Sequence, residues 1–377
     1  VSGEFRRVAI VGVGLMGGSL AAALKALPDA PHVTGIDEDD SALDLALKLG
    51  LVDDAISVGH APAALIEADL VVLATPVVDV MAWLEMLGGL GYEGVVTDLA
   101  STKAAVMAKA RAVLSPGATF IGGHPMAGSE KSGVAAADAD LFRGAHYVLT
   151  PADDTDAEAY RRLHRLVTSV GARVISLDAV AHDEAVAAIS HVPHVAASAL
   201  TNLAAERAQA GSDVLRLAAG GFKDMTRIAA GSPELWTGIC IDNQAAVVRG
   251  LDELGAQLAE FAALVRSGDR AGVRAWLARA ADVRRSLPAR WVPASERLRE
   301  LTVAMTDRPG AVSAITQAAA RAGCNIEDIG IDHVTEDTAM LHLLLTDEGD
   351  VHALMADLTA SGFEPTLEAL LPEGGGA

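Results

Sequence analysis

The chain has 377 residues, more than one hydrophobic core organises, so two or three domains are expected. Half of it (51%) is hydrophobic, only 3% is aromatic, and the formal net charge is -21. Such a surface repels nucleic acid and anionic membrane, because a phosphate backbone needs a basic patch to release its counterions; a small anion can bind only where Arg, His or helix N-termini reverse the field. The two cysteines, Cys240 and Cys324, match no disulfide framework or metal spacing, which fits a reducing compartment. VSGEFRR runs into a strand without an apolar leader, and runs such as Ala68 to Val78 are short and broken by Asp69 and Pro76. A soluble, cytoplasmic protein is expected.

From Arg7 to about Leu177, β-branched runs (VAIVGV, HVTGID, DLVVLAT, GVVTDLA, TFIGGHP, HYVLT, RVISL) alternate with Ala-rich helical stretches. That alternation predicts an α/β domain over residues 1–178, a doubly wound parallel sheet with ligands at the strand ends. Strand signals stop after Asp178, and residues 179–287 are Ala-rich and helical, punctuated by Pro193, Gly220-Gly221 and Ser232-Pro233. Residues 288–297, with Pro288, Trp291 and Pro293, have no period and read as a linker. From residue 298 to 371 the order strand, helix, strand, strand, helix, strand predicts a ferredoxin-like βαββαβ module, and 372–377 a disordered tail.

Gly12, Gly14 and Gly17 form a G-x-G-x-x-G between the first strand and first helix. Gly12 permits the turn, Gly14 lets backbone approach a pyrophosphate, and Gly17 lets helix and strand pack closely; Leu15 and Met16 open the helix whose amides face the phosphates. Asp37 ends the second strand, where its carboxylate can accept from ribose hydroxyls or cap a helix. Glu38, Asp39 and Asp40 follow with no nearby Arg or Lys for a 2′-phosphate, so NAD is favoured over NADP. Thr75 and Pro76 end a strand on the nicotinamide side, and Asp98 ends the next, either in the site or as a cap for a helix beginning near Ser101.

Three polar clusters lie where a substrate over the nicotinamide would sit. Ser101 can hydrogen-bond a substrate hydroxyl or cap a helix; Thr102 and Lys103 stand beside it. GGHPMAGSEKSG carries His124 out of a strand, placed either to accept a proton from a hydroxyl or to satisfy a turn, with Ser129 and Glu130 behind it. SHVPH and GGFKDMTRIAAGSPELW supply His191, His194, Asp224, Arg227 and Trp236. A guanidinium can hold a carboxylate bidentately, whereas an Asp224–Arg227 surface pair is the plainer reading, and Trp236 suits packing. No metal is expected at the His191–His194 pair.

Together GVGLMGGSL, TDLASTK, GGHPMAGSE, SHVPH and GGFKDMTRIA with the following Trp236 resemble the prephenate/arogenate dehydrogenase family of tyrosine biosynthesis, in family order over nearly the whole chain. LRELTVAMTDRPGAVSAITQAAARAGCNIEDI is similar to an ACT domain, which some members carry. The resemblance implies a Rossmann-type domain, an all-helical dimerisation domain that makes a homodimer, and NAD-dependent oxidative decarboxylation of prephenate to 4-hydroxyphenylpyruvate. It implies that His124 hydrogen-bonds the ring hydroxyl with Ser101 helping. His194 and Arg227 bind substrate, Asp224 orients Arg227, and Ser129 and Glu130 line the pocket. It further implies tyrosine as effector, met by Asp307, Arg308, Pro309, Gly310, Asn325 and Ile326. An arogenate dehydrogenase stays open, because Glu130 could pair with an amine, as does an amino-acid sensor without catalysis. A β-hydroxyacid dehydrogenase would need a catalytic lysine on the helical segment, where Lys223 lies in the family match instead.

Overall fold

The computed structural model describes residues 5–127, 131–210, 212–286, 299–306, 308–333, 338–346 and 349–369. The chain forms two compact units, residues 1–259 and 260–377.

The first unit begins with β1 (Arg7–Val11), α1 (Leu15–Lys25), β2 (His32–Asp37), α2 (Asp40–Lys48), β3 (Asp54–Ser57), α3 (Ala61–Glu67) and β4 (Leu70–Leu73). It continues with α4 (Val77–Gly89), β5 (Val95–Asp98), α5 (Ala104–Val113), β6 (Thr119–Pro125), β7 (His146–Thr150), α6 (Ala157–Ser169) and β8 (Arg173–Ser176). The eight strands form one sheet in the order β3-β2-β1-β4-β5-β6-β7-β8.

Strand alternation explains the double layer. Val8 and Ile10 of β1 face a core with Leu20 and Leu24 of α1, Leu43 of α2 and Leu163 of α6. Ala9 and Val11 face the opposite core, with Leu65 of α3 and Val80 and Leu84 of α4. Each such fully buried aliphatic side chain contributes about 1.5–3 kcal/mol against the entropy of ordering the chain. The strand order reverses between β1's two neighbours, β2 and β4, and this switch point opens a crevice at the strand ends.

Two details depart from the sequence reading. β3 is absent from the predicted runs, because DAIS is short and, as an edge strand, leaves its residues no more than partly buried instead of building a core run. β7 pairs antiparallel with β6, whereas β8 runs parallel to β7. No α-helix lies between β6 and β7 among the described residues, only the short 3-10 turn Val134–Ala136, so a right-handed parallel crossover is not imposed there.

Helices follow: α7 (Ala179–Val186), α8 (Val192–Gln209), α9 (Gly220–Thr226), α10 (Pro233–Asp242) and α11 (Gln244–Ser267), inside which the boundary between the units falls. Asp178 caps α7 by accepting from the N–H groups of Val180 and Ala181. Between α7 and α8 one turn, Ala187–His191, is a π-helix; Pro193, lacking an N–H, cannot complete the α-helical ladder into this turn.

In the second unit α12 (Arg270–Ser286) packs Trp276 against Phe261 of α11, ring centroids 4.8 Å apart. β9 (Arg299–Thr306), α13 (Ala311–Arg321), β10 (Ile326–His333), β11 (Thr338–Leu345), α14 (Val351–Ala360) and β12 (Glu364–Ala369) then form the ferredoxin-like module. Its antiparallel sheet runs β10-β11-β9-β12, and Leu301, Val303, Leu341 and Leu343 pack under Ile315 and Leu354 of the two helices. No helix among the described residues is long and apolar enough to cross a membrane.

Candidate active site

The glycine turn has the geometry a dinucleotide cradle needs. Gly12 sits at φ +91, and a Cβ there would meet the Ala74 carbonyl oxygen at 2.8 Å. A Cβ on Gly17 would come within 1.9 Å of the Gly12 oxygen, so only glycine lets α1 lie this close to β1. Gly14, by contrast, would bring its Cβ within 4 Å of no described residue beyond its own local backbone, and it borders the crevice. No side chain caps α1, which leaves its first-turn amides available to an anion. The Asp37 carboxylate accepts from Val13 N–H at 2.8 Å and Asp39 N–H at 3.0 Å, tying β2 to the glycine turn. It does not cap α2; Asp39 does, through Ser41 N–H. These residues fit an adenine dinucleotide, with acid where a 2′-phosphate would lie.

Beside the turn lies a cleft of about 530 Å³. Gly14, Leu15 and Met16 border it from α1, Thr75 and Pro76 from the end of β4, Ser101 and His124 from the ends of β5 and β6, and Leu235, Ile239 and Asp242 from α10. Among the described residues Thr75 Oγ1 is buried with no hydrogen-bond partner, as is one oxygen of Asp242. Burial and the nearby Asp183 charge push the Asp242 carboxyl up.

His124 is held by a relay. Its Nδ1 lies 2.8 Å from Nε2 of His182, and Nδ1 of His182 lies 2.8 Å from Oδ1 of Asp183. Asp183 also accepts from the N–H groups of Lys103 and Ala104 at 2.8 Å each. Burial pushes its carboxyl up, but the hydrogen bonds from His182, Ala104 and Lys103 outweigh that and hold it below the usual carboxylate range. An ionised carboxylate only accepts, so His182 donates through Nδ1 and accepts through Nε2. His124 therefore donates through Nδ1 and keeps a bare lone pair on Nε2. Burial, then the Lys103 charge and any proton taken up by His182 or His191, holds the His124 pKa well below the ordinary imidazole value. The imidazole is thus a neutral acceptor at the edge of the cleft.

His194 stacks on Trp236 with centroids 3.5 Å apart and planes at 14°, and its Nδ1 is buried without a partner among the described residues. Trp236 also meets His191 edge-on at 6.1 Å. Burial lowers His191 to about 4, and its Nδ1 lies 3.3 Å from the Asn243 amide.

Residues 20–176 match the family model of the prephenate dehydrogenase nucleotide-binding domain, residues 178–279 that of the prephenate dehydrogenase dimerization domain, and residues 301–368 an ACT domain. A prephenate dehydrogenase of Bacillus subtilis is 36% identical over 332 residues, 88% of this chain and 89% of that protein. The chain belongs to the prephenate dehydrogenase family. Among solved structures, prephenate dehydrogenase from Aquifex aeolicus in complex with hydroxyphenyl propionate and NAD+ superposes with a TM-score of 0.71 at 29% identity, covering 75% of this chain and 98% of that one. Synechocystis arogenate dehydrogenase gives 0.66 at 31% identity, covering 75% and 100%.

Measured against the family motifs, the structure brings Gly14, Leu15, Met16, Thr75, Pro76, Ser101 and His124 to one cleft, with Gly12, Gly17 and Asp37 shaping its cofactor side. Three expectations are corrected. The helix after β5 starts at Ala104, so Ser101 is not its cap. Asp98 is not a cap either: it is fully buried, accepting from Ala100 and Gly123 N–H and from the Lys103 ammonium. Among the described residues Asp224 and Arg227 form no ion pair; both are exposed, Asp224 on α9 and Arg227 in the 3-10 turn Arg227–Ala230 that follows it, where neither side chain is held against the other. Ser129, Glu130 and Asp307 lie outside the described residues. The sequence reading missed His182 and Asp183. Their signal is the adjacent His-Asp in AHDEA, but nothing in spacing says that it meets a histidine 58 positions earlier.

Proposed function

We infer that this chain catalyses the NAD-dependent oxidative decarboxylation of prephenate to 4-hydroxyphenylpyruvate. The observation that carries the reading is the His124–His182–Asp183 relay opening on a cleft that also holds the glycine turn. NAD, held by the Gly12–Gly17 turn and Asp37, supplies the hydride acceptor. His124 Nε2 accepts the hydrogen bond of the ring hydroxyl, drawing electron density onto the oxygen as hydride leaves the same carbon; Ser101 orients that hydroxyl. The ring carboxylate departs as carbon dioxide, its bonding electrons complete the aromatic ring, and no covalent nucleophile is needed. His194, against Trp236, and Arg227 contact the substrate, Arg227 at a carboxylate, with Ser129 and Glu130 on the pocket wall. Steady-state kcat/KM with prephenate and with arogenate tests the assignment, prephenate being the better substrate; a preference for arogenate would move the chain to that branch of the family.

Arg227→Ala should raise KM for prephenate by on the order of tenfold or more while leaving NAD affinity unchanged. An unchanged KM would mean that Arg227, exposed in the structure, takes no part in substrate binding.

The domain division at 1–178, 179–287 and 298–371 belongs to the same proposal, as do a cytoplasmic location and a homodimer. The dimer draws support from Leu203, Leu217, Met225 and Ile241, which stand 49–80% exposed in the helical segment, more apolar surface than a lone helical bundle leaves to water. Tyrosine is the proposed effector. Gly310 at φ +92 leads into α13, whose amides no side chain caps, and the neighbouring Arg308, Pro309, Asn325 and Ile326 would face an amino acid held between paired modules. Calorimetry should show heat on adding tyrosine, and tyrosine should weaken prephenate binding or turnover. Silence with tyrosine, phenylalanine and tryptophan would make the module structural.

A further inference from the structure

Lys103 and Asp98 form an ion pair with both side chains 0% exposed. Replacing a buried pair of this kind by apolar residues is often neutral or stabilising, so stability alone is a weak reason for one to be there. Its position supplies another. Asp98 ends β5 and accepts from Gly123 N–H at 3.0 Å, one residue before His124 on β6. The alkyl chain of Lys103 lies along β6, since a Cβ on Gly122 would meet its Cδ at 3.1 Å. The backbone N–H of Lys103 donates to Asp183, which holds His182, which holds His124. The contacts close a ring through β5, β6 and α7 with His124 in it and the Lys103 ammonium inside.

We propose that Lys103 is a positioning residue of the reaction: clamped to Asp98, its buried ammonium fixes the strand end that carries His124 and places a positive charge, held by its Asp98 partner against the cost of burial, near the imidazole, which favours an unprotonated Nε2 at the start of each turnover. The inference rests on His124 as the acceptor in the cleft. The Lys103 charge is the largest electrostatic contribution acting on His124, after burial itself, and it opposes protonation. Other titratable groups around the imidazole are His182 and Asp183 from α7 and His191 from the π turn, with Asp98 of β5 bonded to the preceding residue's N–H, and Asp242 and Glu234 of α10 and the cationic Lys131 bordering the same cleft. The ionised Asp183 favours the imidazolium by charge, so losing the ammonium removes an opposing charge and raises the His124 pKa, with burial still holding it down. A methionine in place of Lys103 fills the path of the lysine chain out to the ε position without its charge.

The test is the acid limb of the kcat–pH profile, together with an NMR titration of the His124 ring in the cofactor-free protein. In Lys103→Met both midpoints should move toward neutral pH by on the order of one unit, the size of a lost nearby charge; in Lys103→Arg both should stay with the parent. If Lys103→Met does not fold, the double variant Asp98→Asn with Lys103→Met removes both charges together, and a smaller shift in the same direction is expected because a carboxylate that favours the imidazolium is lost with the ammonium that opposes it. Midpoints coincident with the parent in the folded variant would overturn the proposal, even with turnover reduced, since Lys103 would then be structural only. If the NMR midpoint moves but the acid limb survives in His124→Asn, Lys103 tunes the imidazole but the limb belongs to another group, and the assignment of His124 falls instead.

Discussion

His124→Asn should lower turnover of prephenate by roughly a hundredfold or more, the usual size for loss of a positioned acid–base group, while NAD binding stays near that of the parent. The separation is expected because His124 ends β6, whereas the glycine turn and Asp37 belong to β1, α1 and β2. The asparagine amide fills much of the imidazole's space but cannot take up a proton near neutral pH. Steady-state kinetics with calorimetric NAD titration separates the two effects; turnover within a few-fold of the parent would mean that another group receives the hydroxyl.

Asp183→Ala should have an effect of similar order by a different route. Asp183 touches no reacting atom; it fixes which nitrogen of His182, and through it of His124, carries hydrogen. Without the carboxylate both rings can reverse, placing a proton on Nε2 where a lone pair is needed, and turnover should fall on the order of a hundredfold. Stability should fall as well, because the Lys103 and Ala104 N–H groups lose their acceptor, at about 1–3 kcal/mol for each buried donor left unpaired. Paired kinetic and denaturant measurements check both. Lost stability with unchanged turnover would make the relay a structural tie and nothing more.

The parts of the fold set by local chemistry were legible in the sequence. The glycine triplet marked the turn between β1 and α1, and the end of strand-helix alternation after Asp178 marked the start of α7 at Ala179, which Asp178 caps. The βαββαβ order of the second unit followed from alternation and turn residues, and the structure has it. What stayed hidden depends on tertiary placement. β3 has no apolar run to announce it, being an edge. The reversal of β7 depends on what does not connect it to β6. Asp98 looked like a cap because an Asp before a helix usually is one, but a buried lysine and a strand N–H claim its oxygens first. The His182–Asp183 pair gains its meaning only from a contact across 58 residues. Arg227 was paired with Asp224 on spacing alone, and the structure leaves both exposed.

In this cleft NAD should take the hydride of prephenate while His124 accepts the hydrogen bond of the ring hydroxyl. Product stoichiometry with the parent protein tests it most directly. With prephenate and NAD supplied together, NADH, carbon dioxide and 4-hydroxyphenylpyruvate should appear in equal amounts, and no NADH should form when prephenate is omitted. Binding of NAD without NADH formation at saturating prephenate would contradict the account.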